Sequence, residues 1–324
     1  MKILVTGGAG YIGSHFVKYL VLNGIDVAVL DNLSRGHEEA VPTQVKLYRI
    51  DLLDYDKLSE AIKESKADAV VHFAAFAYVG ESVENPGVYY QNNVIGSINL
   101  IKAVNEAGIK KFVFSSTCSL YGNPVKVPIS EEESVKPINP YANTKYVIEM
   151  VLRDFDFAYE LKSVCLRYFN AAGCDFDGII GESHEPEPHL IPIVLDAALG
   201  RRKSVNVFGD DYNTPDGTCI RDYIHVNDLA NAHLKALEYL FNSGDSTVIN
   251  LGTGSGYSVK EIIDSAKKVT GLDIPYEIAG RRAGDPDVLV ADNKKAKNIL
   301  GWEPKIGLDE VLSSSFNWQK NKKY

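Results

Sequence analysis

Tyr141 and Lys145 are the residues of this sequence whose spacing best suits proton transfer. Residues at i and i+4 share one face of a helix, and the segment that begins PYANTKY is predicted to be helical. A tyrosine has a pKa near ~10 and is a poor base at neutral pH, but a neighbouring ammonium group favours the phenolate and lowers that pKa. The pair therefore predicts a proton acceptor. The alternative is a solvent-facing pair at one end of a helix.

Thr117 adds a hydroxyl group to this chemistry. It lies in FSSTCSLYG, directly after a predicted strand. Ligands of open α/β sheets bind beyond the carboxyl ends of the strands, so Thr117 is expected at the ligand-binding edge. There its hydroxyl is able to hydrogen-bond a substrate alcohol or ketone and to relay the proton to Tyr141.

Four glycines near the N-terminus predict a dinucleotide site. The segment MKILVTGGAGYIG satisfies two registers, Gly8-x-Gly10-x-x-Gly13 and Gly7-x-x-Gly10-x-x-Gly13, of which the first is the dinucleotide fingerprint. Such glycines let the chain turn sharply, approach a pyrophosphate and pack the following helix closely on the sheet. The helix N-terminus then attracts the phosphates.

Asp31 and Arg35 bear on which dinucleotide binds. Asp31 ends the next predicted strand, where a carboxylate accepts hydrogen bonds from the adenosine ribose and favours NAD over NADP. Arg35 keeps NADP open as the alternative, because an arginine is able to receive a 2′-phosphate. A plain turn residue at the end of a strand is the other interpretation of Asp31.

The elements that must position these residues alternate between strand and helix. Short β-branched runs such as KILVT, DVAVLD, DAVVHFAA and KKFVFSS are separated by longer amphipathic stretches, which predicts a doubly wound parallel (Rossmann) sheet covered on both faces. From about Ala171 the pattern loosens. We therefore predict a first domain over 1–170 and a smaller α/β domain over 171–324, interleaved with the first.

Composition limits the classes of protein to consider. The chain has 324 residues, a net charge of −9 and 45% hydrophobic residues, which argues against broad binding to nucleic acid or anionic membranes. No apolar run is long enough for a membrane span, and the cysteines show no CxxC pairing. A cytoplasmic protein with reduced thiols is expected.

Several motifs in order carry a resemblance. TGGAGYIG, Asp31-Asn32, HFAA, SSTCSLYG, the Tyr141–Lys145 pair and RYFN together resemble the extended short-chain dehydrogenase/reductase family. More narrowly, GESVENPGVYYQNNV, HLIP, DGTCIRDYIHVNDLA and RRAGDPD resemble the UDP-glucose 4-epimerases. The resemblance runs from Met1 to about Trp302.

This resemblance implies a reversible epimerisation of UDP-glucose and UDP-galactose at carbon 4. It implies tightly bound NAD that is regenerated in each cycle, with a transient 4-keto sugar that turns over in the pocket. Tyr141 takes the proton of the 4-hydroxyl group, Thr117 steadies that proton, and Lys145 hydrogen-bonds the nicotinamide ribose. The first domain then binds NAD and the second the nucleotide sugar.

The resemblance also implies two sets of contacts. The cofactor set is Gly7, Gly10, Tyr11, Ile12, Gly13, Asp31, Asn32, Asp51, Leu52, Phe73, Ala74, Ala75, Asn92, Lys145 and Tyr168. The substrate set is Thr117, Tyr141, Asn170, His189, Leu190, Phe208, Arg221, Tyr223, Arg282 and Asp285. Arg221 and Arg282 suit a diphosphate; the alternative is an ion pair with Asp222 or Asp285.

Three positions depart from the pattern of the family. Thr117 stands where many members carry serine, and it keeps the hydroxyl. Ala77 stands where some members place a lysine near the nicotinamide. Leu289 stands at a gate where some members carry a bulky tyrosine that excludes N-acetyl sugars. The smaller leucine predicts acceptance of UDP-N-acetylhexosamines; the alternative is a plain strand residue.

Neither a metal nor a monomer is expected. His184 and His189 lie near three glutamates in ESHEPEPHL, but their spacing does not fit the helical HExxH arrangement. We therefore expect a loop with no metal, and His189 beside the nucleotide.

The predicted helices at 88–107 and 141–160 carry apolar stripes. In the family such helices pair across a homodimer; the alternative is that the stripes face only the sheet.

Rival functions remain. A nucleotide-sugar 4,6-dehydratase carries Thr-Asp-Glu where this chain has Thr117, Cys118 and Ser119, so its elimination machinery is missing. A decarboxylase or epimerase acting on a UDP-pentose or UDP-uronate stays open. A non-catalytic NAD-binding regulator is disfavoured because Tyr141 and Lys145 are intact.

Overall fold

The computed structural model describes residues 1–282 and 285–324. Its strands, in chain order, are β1 (Lys2–Thr6), β2 (Asp26–Asp31), β3 (Lys46–Arg49), β4 (Ala69–His72), β5 (Lys111–Thr117), β6 (Lys162–Tyr168), β7 (Asn170–Ala172), β8 (Val205–Phe208), β9 (Ile220–Arg221), β10 (Tyr223–His225), β11 (Thr247–Leu251), β12 (Tyr257–Ser258), β13 (Tyr276–Ala279) and β14 (Val288–Leu289). Ala283 and Gly284, within the RRAGDPD motif, lie outside the described residues.

The helices alternate with the strands over the first half of the chain. They are α1 (Tyr11–Leu22), α2 (Tyr55–Ser65), α3 (Val79–Glu84), α4 (Pro86–Tyr89), α5 (Gly96–Glu106), α6 (Pro140–Tyr159), α7 (Leu190–Ala198), α8 (Val226–Phe241), α9 (Val259–Thr270), α10 (Lys294–Leu300) and α11 (Leu308–Lys320). Short 3₁₀ turns cover Glu38–Ala40 and Cys118–Tyr121. None of these helices is long and apolar enough to cross a membrane.

Seven parallel strands form the central sheet in the order β3-β2-β1-β4-β5-β6-β11. Side chains alternate across it, as the period of a strand requires. Ile3 and Val5 of β1 pack with α1 and α8, whereas Leu4 packs with α2, α5 and α6. Because both faces are covered, the strands read as continuous apolar runs. The predicted doubly wound fold is confirmed.

The chain order reverses between β1 and β4, which lie side by side. Such a switch point opens a crevice at the carboxyl ends of the strands, where ligands bind in open α/β sheets. The residues that follow β1, β2, β4 and β5 therefore meet at one edge. This edge carries the site described below.

The smaller lobe holds a second core. Helices α7, α9 and α11 pack together around Leu195, Ile262 and Leu312, and three short sheets join β7 to β10, β8 to β13, and β9 to β12 and β14. Segments from beyond residue 170 also serve the first core, because α8 packs on α1 and β11 extends the main sheet. The predicted boundary at 170 stays a prediction.

The predicted helix over 88–107 is interrupted. A π-helical turn, Tyr90–Ile95, joins α4 to α5. Asn93 in this turn is buried, accepts a hydrogen bond from the Phe76 N–H and donates one to the Phe76 carbonyl. The wider turn thus aims a polar side chain at the loop after β4, a use typical of π-helical turns near functional sites.

Candidate active site

The glycine turn after β1 packs so closely that main-chain atoms of neighbouring segments leave no room for side chains. Gly7 has a φ of +73°, and a Cβ there would lie 2.8 Å from the carbonyl carbon of Phe73 and closer still to the Ala74 nitrogen. A Cβ on Gly13 would lie 2.9 Å from the carbonyl carbon of Gly7 and closer still to its oxygen. Helix α1 begins directly after Gly10, so its free N–H groups face the crevice.

Asp31 braces this turn. Its carboxylate accepts hydrogen bonds from the Ala9 N–H at 3.0 Å and the Leu33 N–H at 2.9 Å. Burial raises the pKa of Asp31, and the two N–H donors oppose that rise. Asp31 is thus both a brace for the turn, in line with the alternative interpretation of this residue, and a wall of the pocket. Its contact with the adenosine ribose stays a prediction.

Every residue predicted to contact the cofactor lines one pocket of about 340 Å³. The pocket extends from the glycine turn past Asp31 to Lys145 and Tyr168. Three features of this pocket suit a dinucleotide. They are the main chain of the glycine turn, where side chains would fill the space, the N-terminus of α1, and the Asp31 carboxylate at the end of β2. These residues therefore fit NAD, and each individual contact with it stays a prediction.

Arg35 is engaged elsewhere. Its guanidinium donates to both carboxylate oxygens of Glu81, at 2.6 and 2.8 Å. It also lies between two rings, 4.5 Å from the centroid of Phe76 and 4.7 Å from that of Tyr78. A guanidinium so paired is poorly placed to receive a ribose phosphate, which weakens the NADP alternative.

Tyr141, Lys145 and Thr117 meet at the end of the pocket. Asn139 caps α6 by accepting the Ala142 N–H at 2.8 Å, and Pro140 occupies the first turn, where a missing N–H does no harm. Tyr141 and Lys145 therefore project from the first two turns of α6. Thr117 is the last residue of β5. The three predicted catalytic residues thus lie together.

The pKa of Tyr141 differs from the sequence expectation. Burial raises it to about 12, and hydrogen bonding to Thr117 opposes part of the rise. Lys145 is only 3% exposed, and burial lowers its pKa to about 7. Its ammonium nitrogen donates to the Ser115 carbonyl at 2.8 Å and lies 6.0 Å from the centroid of the Tyr141 ring. The expected net lowering of the pKa of Tyr141 is therefore wrong for this structure, because desolvation dominates both groups.

A buried ion pair that sequence reasoning missed supports this corner. Arg167 and Glu149 pair with side chains 5% and 6% exposed, and Glu149 accepts the Ser116 hydroxyl at 2.5 Å. Arg167 also donates to the Tyr121 hydroxyl at 3.0 Å. The RYFN motif contained the arginine, but its partner on α6 lies in no recognisable motif.

The predicted substrate residues line a wider cleft of about 1690 Å³, except Tyr141, which lines the adjoining pocket. Thr117 and Asn170 line both spaces. Ala77 also lines both, and Leu289 lies half-buried on the wall of the cleft. The catalytic residues therefore stand where the cofactor pocket opens into the cleft.

The two arginines of the cleft are held differently. Arg221 pairs with Asp285 at 2.5 Å, with side chains 10% and 27% exposed. Asp222 turns away and accepts N–H groups from Thr253, Gly254 and Ala291. The Arg282 guanidinium lies 4.1 Å from the centroid of the Phe208 ring. The ion pair expected as an alternative for Arg221 exists, and both of its members still line the cleft.

A cluster of two histidines and two glutamates lies in the loop before α7. We call Glu182, His184, Glu187 and His189 the His/Glu cluster; its four ligand-type atoms all lie within 4.8 Å of one another. Burial by itself lowers the pKa of His189, but the two carboxylates outweigh it and raise that pKa to about 10. The imidazoles in turn lower the pKa of Glu187 to about 2, against the effect of burial. The sequence marked His184 and His189 near three glutamates, but their spacing did not predict that the loop would fold back and bring two of those glutamates to both histidines.

The fold and these residues define a dinucleotide-dependent enzyme of the doubly wound class. The model of the NAD dependent epimerase/dehydratase family matches residues 3–252. This chain belongs to that family.

Similar proteins share nearly the whole chain. The UDP-glucose 4-epimerase of Halalkalibacterium halodurans is 54% identical over 99% of this chain and 96% of its own length. The crystal structure of the UDP-glucose 4-epimerase of Brucella ovis in complex with NAD has a TM-score of 0.95 and 48% identity, covering 97% of each chain. The UDP-Glc/GlcNAc 4-epimerase of Campylobacter jejuni has a TM-score of 0.87 and 44% identity, covering 98% of this chain and 99% of its own.

Proposed function

We propose that this protein catalyses the reversible epimerisation of UDP-glucose and UDP-galactose at carbon 4, with NAD as its cofactor. The observation that carries the proposal is the position of Tyr141, Lys145 and Thr117 where the cofactor pocket opens into the cleft. The similarity to UDP-glucose 4-epimerases over the full length of the chain supports it. The family itself is NAD-dependent.

Inversion at carbon 4 requires oxidation, because no carbonyl group stands beside that carbon to make its hydrogen acidic. When bound, NAD would accept the hydrogen of carbon 4 together with its pair of bonding electrons, and its oxidised ring would contribute a positive charge. Tyr141 accepts the proton of the 4-hydroxyl group and later returns it. Thr117 hydrogen-bonds the same oxygen, and the 4-keto sugar presents its other face before reduction.

Lys145 acts on Tyr141 through charge. A phenol whose pKa is about 12 is protonated at neutral pH, so the phenolate needs positive charge close by. Lys145 carries that charge in a fraction of molecules near pH 7. Its nitrogen is fixed by the Ser115 carbonyl, which keeps the ammonium on the pocket side of α6.

Product analysis without added cofactor tests the function. Purified protein is incubated with UDP-galactose, and the nucleotide sugars are separated by chromatography. We expect UDP-glucose to form in wild type. If no UDP-glucose forms while the protein still carries NAD, the proposal is wrong, and UDP-pentoses and UDP-uronates become the substrates to test.

The substrate range is proposed to include UDP-N-acetylhexosamines. Leu289 lies on the wall of a cleft of about 1690 Å³, and the relative from Campylobacter jejuni carries the name UDP-Glc/GlcNAc 4-epimerase. We expect wild type to convert UDP-N-acetylgalactosamine and Leu289→Tyr to lose that activity while it keeps UDP-galactose turnover. Failure of wild type to convert the N-acetyl sugar would refute the wider range alone.

A homodimer is proposed from the exposed apolar side chains near α4, α5 and α6. Val88, Tyr90, Ile95 and Phe157 are 50%, 40%, 52% and 95% exposed, and patches of this kind mark interaction sites. Light scattering after size exclusion tests it, with Phe157→Asp expected to shift the mass toward the monomer. A monomeric wild type would refute it. The cytoplasmic location stays a prediction.

A further inference from the structure

We propose that the His/Glu cluster binds one divalent transition-metal ion of the zinc class. Each of the four residues offers one ligand-type atom, and these four atoms all lie within 4.8 Å of one another. Imidazole nitrogens and carboxylate oxygens in a set of four are donors that such ions accept.

The ligand-type atoms of the cluster are close enough together to share one four-coordinate ion after a small rearrangement. The His189 Nδ1 lies 2.9 Å from a Glu182 oxygen and 2.7 Å from a Glu187 oxygen. The His184 Nδ1 lies 3.5 and 3.3 Å from oxygens of the same two carboxylates. Zinc bonds of ~2.0–2.2 Å in a tetrahedron place neighbouring ligand atoms ~3.3–3.6 Å apart. The two His184 distances, to Oε1 of Glu182 and Oε2 of Glu187, are in this range. His189 lies closer and contacts the other oxygen of Glu187, Oε1, so an ion requires His189 to move outward and Glu187 to present one of its two oxygens.

The buried carboxylates of the cluster are also compatible with a divalent cation. Glu182 is only 3% exposed, and the polar contacts described for its carboxylate are with His184 and His189. Buried carboxylates require a compensating charge. With Glu187 the cluster holds two carboxylates. A divalent ion is able to supply their compensating charge in place of the His189 imidazolium, with both imidazoles then acting as neutral ligands.

Surrounding groups hold the ligands in place. The main-chain N–H of His189 donates to the Glu187 carboxylate at 3.0 Å. The Trp318 indole N–H donates to the main-chain carbonyl of Glu182 at 2.8 Å. The His184 ring lies edge-on between the rings of Tyr11 and Tyr78, with centroids 6.1 and 5.8 Å away. Outer contacts of this kind orient metal ligands and tune their affinity.

The position of the site indicates a tethering role. Glu182, His184 and His189 line the cofactor pocket, and all four residues line the cleft. His189 immediately precedes α7. A bound ion therefore joins the start of α7 to the loop at Glu182 and holds the wall shared by the two spaces.

Metal titration of the untagged full chain tests the proposal. The protein is treated with a chelator, dialysed and titrated with Zn²⁺ by calorimetry, and with Co²⁺ as a spectroscopic probe. We expect one ion per chain and the visible bands of tetrahedral Co²⁺. We expect Glu182→Gln and His184→Gln each to weaken Zn²⁺ binding by about tenfold or more.

Glu185→Gln is the matched control, because it removes a carboxylate of the same loop that does not belong to the cluster. We expect it to bind Zn²⁺ as wild type does and to gain thermal stability with Zn²⁺, whereas Glu182→Gln gains none. Glu187→Gln replaces Glu182→Gln if the latter fails to fold. Absence of saturable binding in wild type overturns the proposal, as does equal affinity in the cluster variants and the control.

Discussion

The cofactor side and the substrate side of the site are built in different ways. On the cofactor side, the glycine turn presents main chain packed against main chain, and a Cβ at Gly7 or Gly13 has no room. On the substrate side, side chains converge from separate segments, and Arg221 is already paired with Asp285. The first side is preorganised for its ligand. If Arg221 binds the diphosphate as predicted, the second side exchanges an internal ion pair for contacts with its ligand.

This difference predicts how each side responds to mutation. A change on the cofactor side disturbs packing and cofactor retention together, because the same atoms serve both. A change on the substrate side is expected to alter affinity more than the fold, because Arg221 and its neighbours line the wide cleft. The junction between the two sides carries the chemistry and responds in the rate alone.

The largest effect is expected at the junction. Tyr141→Phe removes the proton acceptor, and loss of a general acid–base group costs roughly 10²–10⁴-fold in rate. We expect turnover of UDP-galactose to fall by about 10³-fold, while the purified protein keeps its NAD. Retention of most activity would show that another group accepts the proton.

Gly13→Ala is expected to destabilise the fold around the cofactor pocket. The new Cβ meets the main chain of Gly7, which cannot give way as a flexible side chain does. We expect a loss of about 2–4 kcal/mol in the free energy of unfolding, within the range of overpacking and strain, and loss of bound NAD.

Gly87→Ala provides the control for this loss. Gly87 lies in α4, and a Cβ there meets nothing within 4 Å. We expect its stability to equal or exceed that of wild type. Denaturant unfolding and the NAD content measure both variants; an equal response in the two would refute the close approach at Gly13.

Arg221→Ala should weaken the substrate side alone. A charge-assisted contact with a diphosphate contributes about 1.5–3 kcal/mol, so we expect KM for UDP-galactose to rise by about tenfold or more. NAD content and fold should not change. Arg153→Ala, at a side chain 72% exposed, should leave KM as it is. An unchanged KM in Arg221→Ala would remove this residue from the binding set.

The smallest effect concerns the pH dependence of stability. The pKa of Lys145 is about 7 in the folded protein and near its ordinary value of 10.5 when unfolded. Between these values the unfolded chain holds a proton that the folded protein lacks, so stability rises with pH. From pH 7 to 8 we expect a gain of about 1 kcal/mol from this group.

Lys145→Met removes that contribution. Urea unfolding of NAD-free wild type and variant between pH 7 and 8 gives the free energy of unfolding of each. The slopes of that free energy against pH are then compared. Parallel slopes would mean that Lys145 stays protonated in the folded protein. The result shows whether Lys145 is charged beside Tyr141 near neutral pH, and the proposed role of Lys145 depends on that charge.

The sequence by itself determined the local features of this protein. The glycine turn, the i and i+4 pair of Tyr141 and Lys145 and the alternation of strands with helices are properties of short segments. Parallel strands bring their carboxyl ends to one edge, so Thr117 was expected near the pair. Local spacing and backbone conformation were sufficient for each of these predictions.

Only the tertiary structure decided which charges meet and which groups lose water. Arg35 pairs with Glu81, α8 and β11 return to the first core, and the His/Glu cluster forms where a loop folds back. The pKa of Tyr141 rises because burial outweighs its neighbours. Desolvation and long-range charge depend on the packing of distant segments, which spacing along the chain does not encode.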